Sequence, residues 1–95
     1  MVSPSPGYAI TFRVETPASF SASSDVTVAI GETGAAITGL DVVGSDQQSM
    51  IIDVSANARG LRHVEKIKAK VNSLPGTSVL RVSDQTFVMH SKGKL

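Results

Sequence analysis

Two histidines are the residues of this sequence best suited to acid–base or metal chemistry, and neither has a partner at a useful spacing. His63 lies among the polar residues of a predicted helix, and His90 lies near the end of the last predicted strand. No HExxH or HxH motif and no carboxylate cluster accompanies them, and a chain without cysteine offers no thiolate. We predict a solvated histidine at 63, a packing or docking histidine at 90, and no catalytic residue, metal site or cofactor site in this chain.

The glycines of the first half do not form a phosphate-binding loop. They match neither GxGxxG nor GxxxxGK[ST], and a phosphate cradle also needs a strand, then the loop, then a helix N-terminus. Gly34 follows a predicted helix and precedes a strand, which is the opposite order. We predict that Gly34 ends a helix and that Gly39 marks a bulge.

The length and charge of the chain exclude several classes of protein. Its 95 residues suit one domain, and 9 Lys+Arg against 8 Asp+Glu give no strong field. Nucleic-acid binding needs clustered positive charge or exposed aromatics, and a membrane span needs about 20 apolar residues. The first residues lack a secretory signal pattern. We expect a cytoplasmic protein that binds neither nucleic acid nor membranes.

Hydrophobic patterns predict three elements in the first half. Residues 8–15 alternate as a half-buried strand that Pro17 ends. Residues 19–33 combine a helical face with β-branched residues, and a Ser19 or Ser21 cap and Gly34 favour a helix. Residues 35–44 form an apolar strand whose alternation slips near Gly39.

The second half predicts a strand, a helix and two further strands. Residues 48–54 alternate and form a hairpin with the preceding strand. Residues 57–73 are the clearest helix, with Asn57 as N-cap and a core stripe of Leu61, Val64, Ile67, Val71 and Leu74. Strands follow at residues 77–83 and 86–91.

This order predicts an α+β, ferredoxin-like βαββαβ sandwich. We expect an antiparallel four-stranded sheet with both helices on one face and a short extra C-terminal strand. Residues 1–7 are predicted to be a flexible lead-in, residues 8–91 the domain, and residues 92–95 the start of a connection to an absent catalytic region.

Three local sequences carry a resemblance to a known family. They are SPGYAITFRV at residues 5–14, GAAITGLDVV at 34–43 and VSDQTFVMH at 82–90. Together with the element order and the proline after the first strand, they resemble the N-terminal ACT domain of bacterial, actinobacterial-type NAD-dependent malic enzymes. The resemblance covers nearly the whole chain.

The resemblance implies a regulatory domain excised from a longer enzyme. The parent would oxidise and decarboxylate malate to pyruvate with NAD and a divalent metal, using residues beyond Leu95. The alternative is a free-standing ferredoxin-like module that binds another protein. A downstream continuation of several hundred residues with a dinucleotide-binding pattern would distinguish the two.

The resemblance also implies where the domain would meet its partners. We expect a homodimer, contact with the parent's catalytic domain, and a small-molecule effector at the dimer join. The strand at residues 35–44 is apolar and has none of the lysines or prolines that usually protect a sheet edge, so the candidate interface residues are Ile37, Leu40 and Val42. The candidate effector-binding residues are Pro17, Ala18, Ser19, Phe20, Ala36, Ile37 and Thr38. Better-known amino-acid-binding ACT domains often have glycine where Ala18 stands and asparagine where Ala36 stands, so the resemblance leaves the effector unidentified.

Overall fold

The computed structural model describes residues 8–84. The predicted lead-in at residues 1–7, the strand at 86–91, His90 and the connection at 92–95 lie outside the described residues. The elements are β1 (Tyr8–Pro17), α1 (Phe20–Glu32), β2 (Ala36–Ser45), β3 (Ser49–Ala58), α2 (Leu61–Asn72) and β4 (Ser78–Asp84).

The four strands form one antiparallel sheet in the order β2-β3-β1-β4. Helix α1 connects β1 to β2, and α2 connects β3 to β4, so each helix crosses the strand that lies between the two it joins. Buried residues of both helices and of one face of β1 and β3 form a single core. The predicted α+β, ferredoxin-like fold is confirmed.

Alternation along β1 determines which face of the sheet is buried. Ile10, Phe12 and Val14 are at most 3% exposed, and Thr16 continues this buried row. The Thr16 hydroxyl lies 3.1 Å from that of Thr77, which donates its own proton to the Pro75 carbonyl. Thr16 is therefore the donor in this pair, and both buried hydroxyl groups have hydrogen-bond partners.

Helix α1 begins and ends where its capping residues predict. The Ser19 hydroxyl accepts a hydrogen bond from the Ala22 N–H, and Thr33 is the C-cap. Gly34 follows with a φ of 93°, a left-handed conformation that favours glycine. The helix buries Val26, Ala29 and Ile30, which belong to the predicted apolar face, so packing against the sheet offsets its mediocre helix propensity.

A short turn joins β2 and β3, and Asp46 stabilises it. Its carboxylate accepts hydrogen bonds from the Gln48 and Ser49 N–H groups, at 2.8 and 2.9 Å. These bonds lower the pKa of Asp46. The β2–β3 register shifts once between Ile37 and Gly39 and again between Val42 and Gly44, which confirms the bulge predicted near Gly39.

Strand β3 is longer than predicted, and Asn57 is not a helix cap. The backbone of β3 pairs with β1 and β2 as far as Asn57, and with β1 as far as Ala58. Ala56 and Ala58 continue the buried row of Ile52 and Val54. Two flanking strands thus override the helical propensity of these alanines. Gly60 is the N-cap of α2, and its helix start has no side-chain cap.

The apolar stripe of α2 is buried from Val64 onwards. Val64, Ile67 and Val71 are buried, and Leu74 packs against the core. Leu61 was predicted to be a core residue, and this is wrong, because its side chain is 73% exposed. Periodicity identifies residues that share a face, but it does not show where the helix meets the sheet.

Candidate functional site

The three candidate interface residues lie on one face of β2, which is an edge strand in the part of the sheet that the structure describes. Ile37 is opposite Ala56, Leu40 is opposite Val54, and Val42 is opposite Ile52. Because directly opposed residues share a face, all three side chains lie on the helix side of the sheet. The first bulge makes this possible, since it restores the face after a spacing of three residues from Ile37 to Leu40.

These side chains lie on the core face but are not covered by the helices. Ile37 is 38% exposed, Leu40 42% and Val42 56%, whereas their partners on β3 are at most 1% exposed. Phe20, at the first position of α1, is 91% exposed. We call Ile37, Leu40 and Val42 the β2 ledge; Phe20 of α1 lines the same groove as Leu40 and Val42.

A groove of about 460 Å³ lies between the start of α1 and the second half of β2. Its volume is within the range of small-molecule sites. Among the described residues no charged side chain lines it, so it suits an apolar group, with hydroxyls available at its margin. The lining residues are Ala18, Ser19, Phe20, Ser23, Leu40, Val42, Ser45 and Met50.

Local contacts hold the β1–α1 turn in place beside the groove. The Ala18 N–H donates to the Gln48 carbonyl at 3.2 Å, which joins the turn to the β2–β3 hairpin. Pro17 lies on the other side, close to Gly76, whose φ is 63°. A Cβ on residue 76 would lie 3.2 Å from the Pro17 ring, so this contact and the backbone conformation both favour glycine.

The structure divides the candidate effector-binding residues into two groups. Ala18, Ser19 and Phe20 line the groove, and Pro17 borders a smaller cavity beside it. Residues 36–38 lie at the opposite end of β2, because Ala36 is level with Asn57 while Ser45 is level with Met50. One chain therefore does not bring the two groups together, and effector binding at these positions stays a prediction.

Sequence reasoning identified five of the eight groove residues as candidates and missed Ser23, Ser45 and Met50. Ser23 belongs to α1 and the other two belong to the β2–β3 hairpin. No local pattern marks them, since their proximity depends on how α1 crosses the sheet.

An ion pair dominates the opposite, open face of the sheet. The Arg13 guanidinium donates two hydrogen bonds of 2.9 Å to the Asp53 carboxylate from the neighbouring strand. These bonds lower the pKa of Asp53, with a smaller opposing effect from its partial burial, and raise the pKa of Arg13. Beside this pair, Thr11 and Ser55 share a hydrogen bond of 3.2 Å. These polar side chains of the open face therefore form hydrogen bonds with one another.

His63 connects the two helices, so the prediction of a solvated surface histidine is wrong. Its Nδ1 accepts a hydrogen bond from the Arg59 N–H at 2.9 Å. Nε2 must therefore carry the proton of the neutral ring, and it donates to the Thr33 carbonyl at 2.9 Å. The half-buried imidazole joins the end of α1 to the start of α2.

Within residues 8–84, no group of three or more His, Asp or Glu side chains is placed to hold a metal ion. No helix in that range is long and apolar enough to cross a membrane.

Comparison with known proteins relates the chain to a malic enzyme. No model of a known protein family matches the chain. An NAD-dependent malic enzyme of Geobacillus stearothermophilus is 31% identical over 86 residues, which is 90% of this chain. The chain is related to a segment of a malic enzyme. The matched region is 18% of that enzyme, so the chain spans less than a fifth of the relative's length.

Proposed function

We propose that this chain is an ACT-type regulatory and oligomerisation domain of an NAD-dependent malic enzyme. Its similarity to a malic enzyme segment supports the parent, and its ferredoxin-like fold is the one that the ACT resemblance implies. The observation that carries the oligomerisation role is the β2 ledge, an apolar surface along an edge strand.

In this proposal the chemistry belongs to the rest of the parent protein. The parent converts malate to pyruvate and carbon dioxide, and NAD accepts the hydride. NAD and the divalent metal are held by residues outside this chain. The domain acts by assembling the parent and by changing its activity when an effector binds.

The chemistry of β2 favours association with a second copy. Strand β2 is paired with β3 on one side, and its ten residues contain neither lysine nor proline, which commonly protect an edge. Its single charge is Asp41, which is opposite Asp53 on the open face. A twofold axis beside β2 extends the sheet into the partner and covers the ledge of both copies, and such dimers are the commonest soluble oligomers.

The same twofold axis brings the two groups of candidate effector residues close together, one group from each chain. Ten strand residues separate the ends of β2 by about 30 Å within one chain. Antiparallel pairing with a copy places residues 36–38 of the partner near the second half of β2. The partner then closes the groove formed by Ala18, Ser19 and Phe20, and an effector bound there contacts both chains.

Light scattering with a matched pair of variants tests the dimer. Val42 on β2 and Val28 on α1 are both valines with 56% exposure, so each becomes a similarly exposed lysine in Val42→Lys and Val28→Lys. We expect the unmodified 95-residue chain and Val28→Lys to dimerise as the concentration rises. Val42→Lys should raise the dimer dissociation constant at least about tenfold, because a lysine in an apolar interface must be desolvated.

Two results would overturn the proposal. One is a chain that stays monomeric up to millimolar concentration. The other is a dimer that both lysine variants weaken equally, which would place the interface elsewhere.

A further inference from the structure

A second cavity lies at the other end of α1, and cationic side chains line it, whereas none of the described residues that line the groove is charged. Its volume is about 270 Å³, and it is formed where α1 ends and α2 begins. Its lining residues are Thr33, Arg59, Arg62, His63 and Lys66, and we call this the basic cleft. Since α1 has 13 residues, the cleft and the groove are about 20 Å apart.

Three cationic side chains of the cleft have no anionic partner in the described part of the chain. Within residues 8–84, no ion pair or side-chain hydrogen bond involves the guanidinium groups of Arg59 and Arg62 or the ammonium group of Lys66. The nearby carboxylates are engaged elsewhere on the helices. Glu65 pairs with Lys68 at 3.8 Å, and Glu32 pairs with Lys70 at 3.1 Å.

This positive charge is concentrated at one place, and contacts with the fold position one of the three cations, Arg59. The whole chain carries a formal net charge of +1, so three unpaired cations around one cavity are a marked concentration. A Cβ on Gly34 would lie 2.6 Å from Nη2 of Arg59, so this guanidinium is closely applied to the turn after α1. The backbone N–H of Arg59 is in turn fixed by His63. The amino-terminal end of α2 adds a partial charge of the same sign.

We propose that the basic cleft binds a small anion that carries carboxylate or phosphate groups. Arginine side chains match the planar oxygens of both groups, and Lys66 adds a point charge. A volume below the usual range of drug-sized ligands restricts the ligand to a small metabolite. The ligand is distinct from any occupant of the uncharged groove, and its binding does not depend on dimerisation.

Titration of the ¹⁵N-labelled 95-residue chain, followed by NMR, tests this site. The probes are sodium phosphate and sodium succinate, each compared with sodium chloride at the same pH and ionic strength. We expect saturable shifts of the amide signals of residues 33–34 and 59–66 with at least one of the two oxyanions. Saturation with phosphate alone identifies a phosphoryl ligand, and saturation with succinate alone identifies a dicarboxylate.

Two substitutions that each remove one positive charge distinguish binding at the cleft from a general electrostatic effect of the added ions. Arg62→Gln removes a cation of the cleft, and Lys68→Gln removes one on the same helix that already has a carboxylate partner. Arg62→Gln should weaken binding about tenfold or more, since hydrogen bonds to charged groups are the strong ones. Lys68→Gln should change it less than about twofold, and both variants should keep dispersed spectra.

The proposal is wrong if neither oxyanion saturates the shifts, or if chloride produces them equally. It is also wrong if the two variants weaken binding to the same extent. Because the measurement follows the cleft signals directly, a monomeric chain with a saturable cleft would refute the proposed dimer and leave this inference standing.

Discussion

Strands β2 and β3 are neighbours with similar apolar residues, and they contribute to the molecule in opposite ways. Ile52 and Val54 of β3 are fully buried, whereas Val42 and Leu40, directly opposite them, are about half exposed. The four side chains share a face of the sheet, so neither hydrophobicity nor orientation distinguishes them. The four side chains differ in how far the helices cover them, because β3 lies beneath the helix layer and β2 extends beyond it. A buried core strand and an exposed apolar strand can thus be built from the same residue types.

The largest expected effect tests whether β2 is energetically outside the core. Ile52→Ala should lower the free energy of unfolding by about 2–5 kcal/mol, because it leaves a cavity in a fully buried site. Ile37→Ala makes the same change on the same face at a site that is 38% exposed, and should cost about 1 kcal/mol or less. Urea unfolding at a concentration where the chain is monomeric measures both. Equal losses would remove the distinction between the strands.

A smaller effect concerns what holds the helix layer together. His63→Ala removes the hydrogen bond from Nε2 to the Thr33 carbonyl, which joins the end of α1 to α2. It also removes the bond that Nδ1 accepts from the Arg59 N–H at the start of α2, and the two losses together should cost about 1–2 kcal/mol. Its neighbour Arg62 makes no such contact, so Arg62→Ala should stay within about 0.5 kcal/mol of the unmodified chain. Thermal unfolding of the two variants provides the comparison. A stable His63→Ala variant would show that packing alone keeps the helices over β3.

The Arg13–Asp53 ion pair on the open face of the sheet should contribute a pH-dependent increment to the free energy of unfolding. Because Arg13 lowers the folded-state pKa of Asp53, this pair stabilises the fold fully above the unfolded pKa of about 3.9. The increment is lost as the pH falls through the lower folded-state value. Asp53→Asn should therefore flatten the acid limb of a stability–pH curve. Parallel curves for this variant and the unmodified chain would contradict this assignment.

The smallest expected effect applies the same comparison to α2. Leu61 is 73% exposed and Ile67 is fully buried, although both belong to one apolar stripe. Leu61→Ala should change the free energy of unfolding by less than about 0.5 kcal/mol, as is usual for surface positions. Ile67→Ala serves as the destabilised reference in the same unfolding experiment. A loss above about 2 kcal/mol at Leu61 would mean that its turn packs against the protein.

Much of the architecture can be derived from local patterns. The alternation of Ile10, Phe12 and Val14 predicts both a strand and its buried face, because successive strand side chains point to opposite faces. Ser19 and Gly34 predict the two ends of α1, since capping chemistry is local. The uneven spacing near Gly39 predicts a bulge. These features need no knowledge of distant residues.

The candidate site could be predicted in part. The apolar pattern of residues 35–44 makes Leu40 and Val42 candidates, and the resemblance to ACT domains makes the turn at residues 18–20 a candidate. Ser23, Ser45 and Met50 join them through the crossing of α1 over the sheet. The cations of the basic cleft, Arg59, Arg62 and Lys66, follow one another at spacings of three and four in the sequence, but the cleft itself requires the end of one helix and the start of the other to meet.

Sequence by itself determined the order of the elements, the buried faces of β1 and β3, and the ends of α1. Tertiary structure decided that Asn57 pairs within a sheet, that Leu61 is exposed and that His63 joins two helices. The physical reason is the same in each case. Periodicity and capping are set by neighbours along the chain, whereas burial and hydrogen bonding depend on which distant surface packs against a residue. The β2 ledge shows this most plainly, because its residues have the pattern of a core strand and lack only the helix that would cover them.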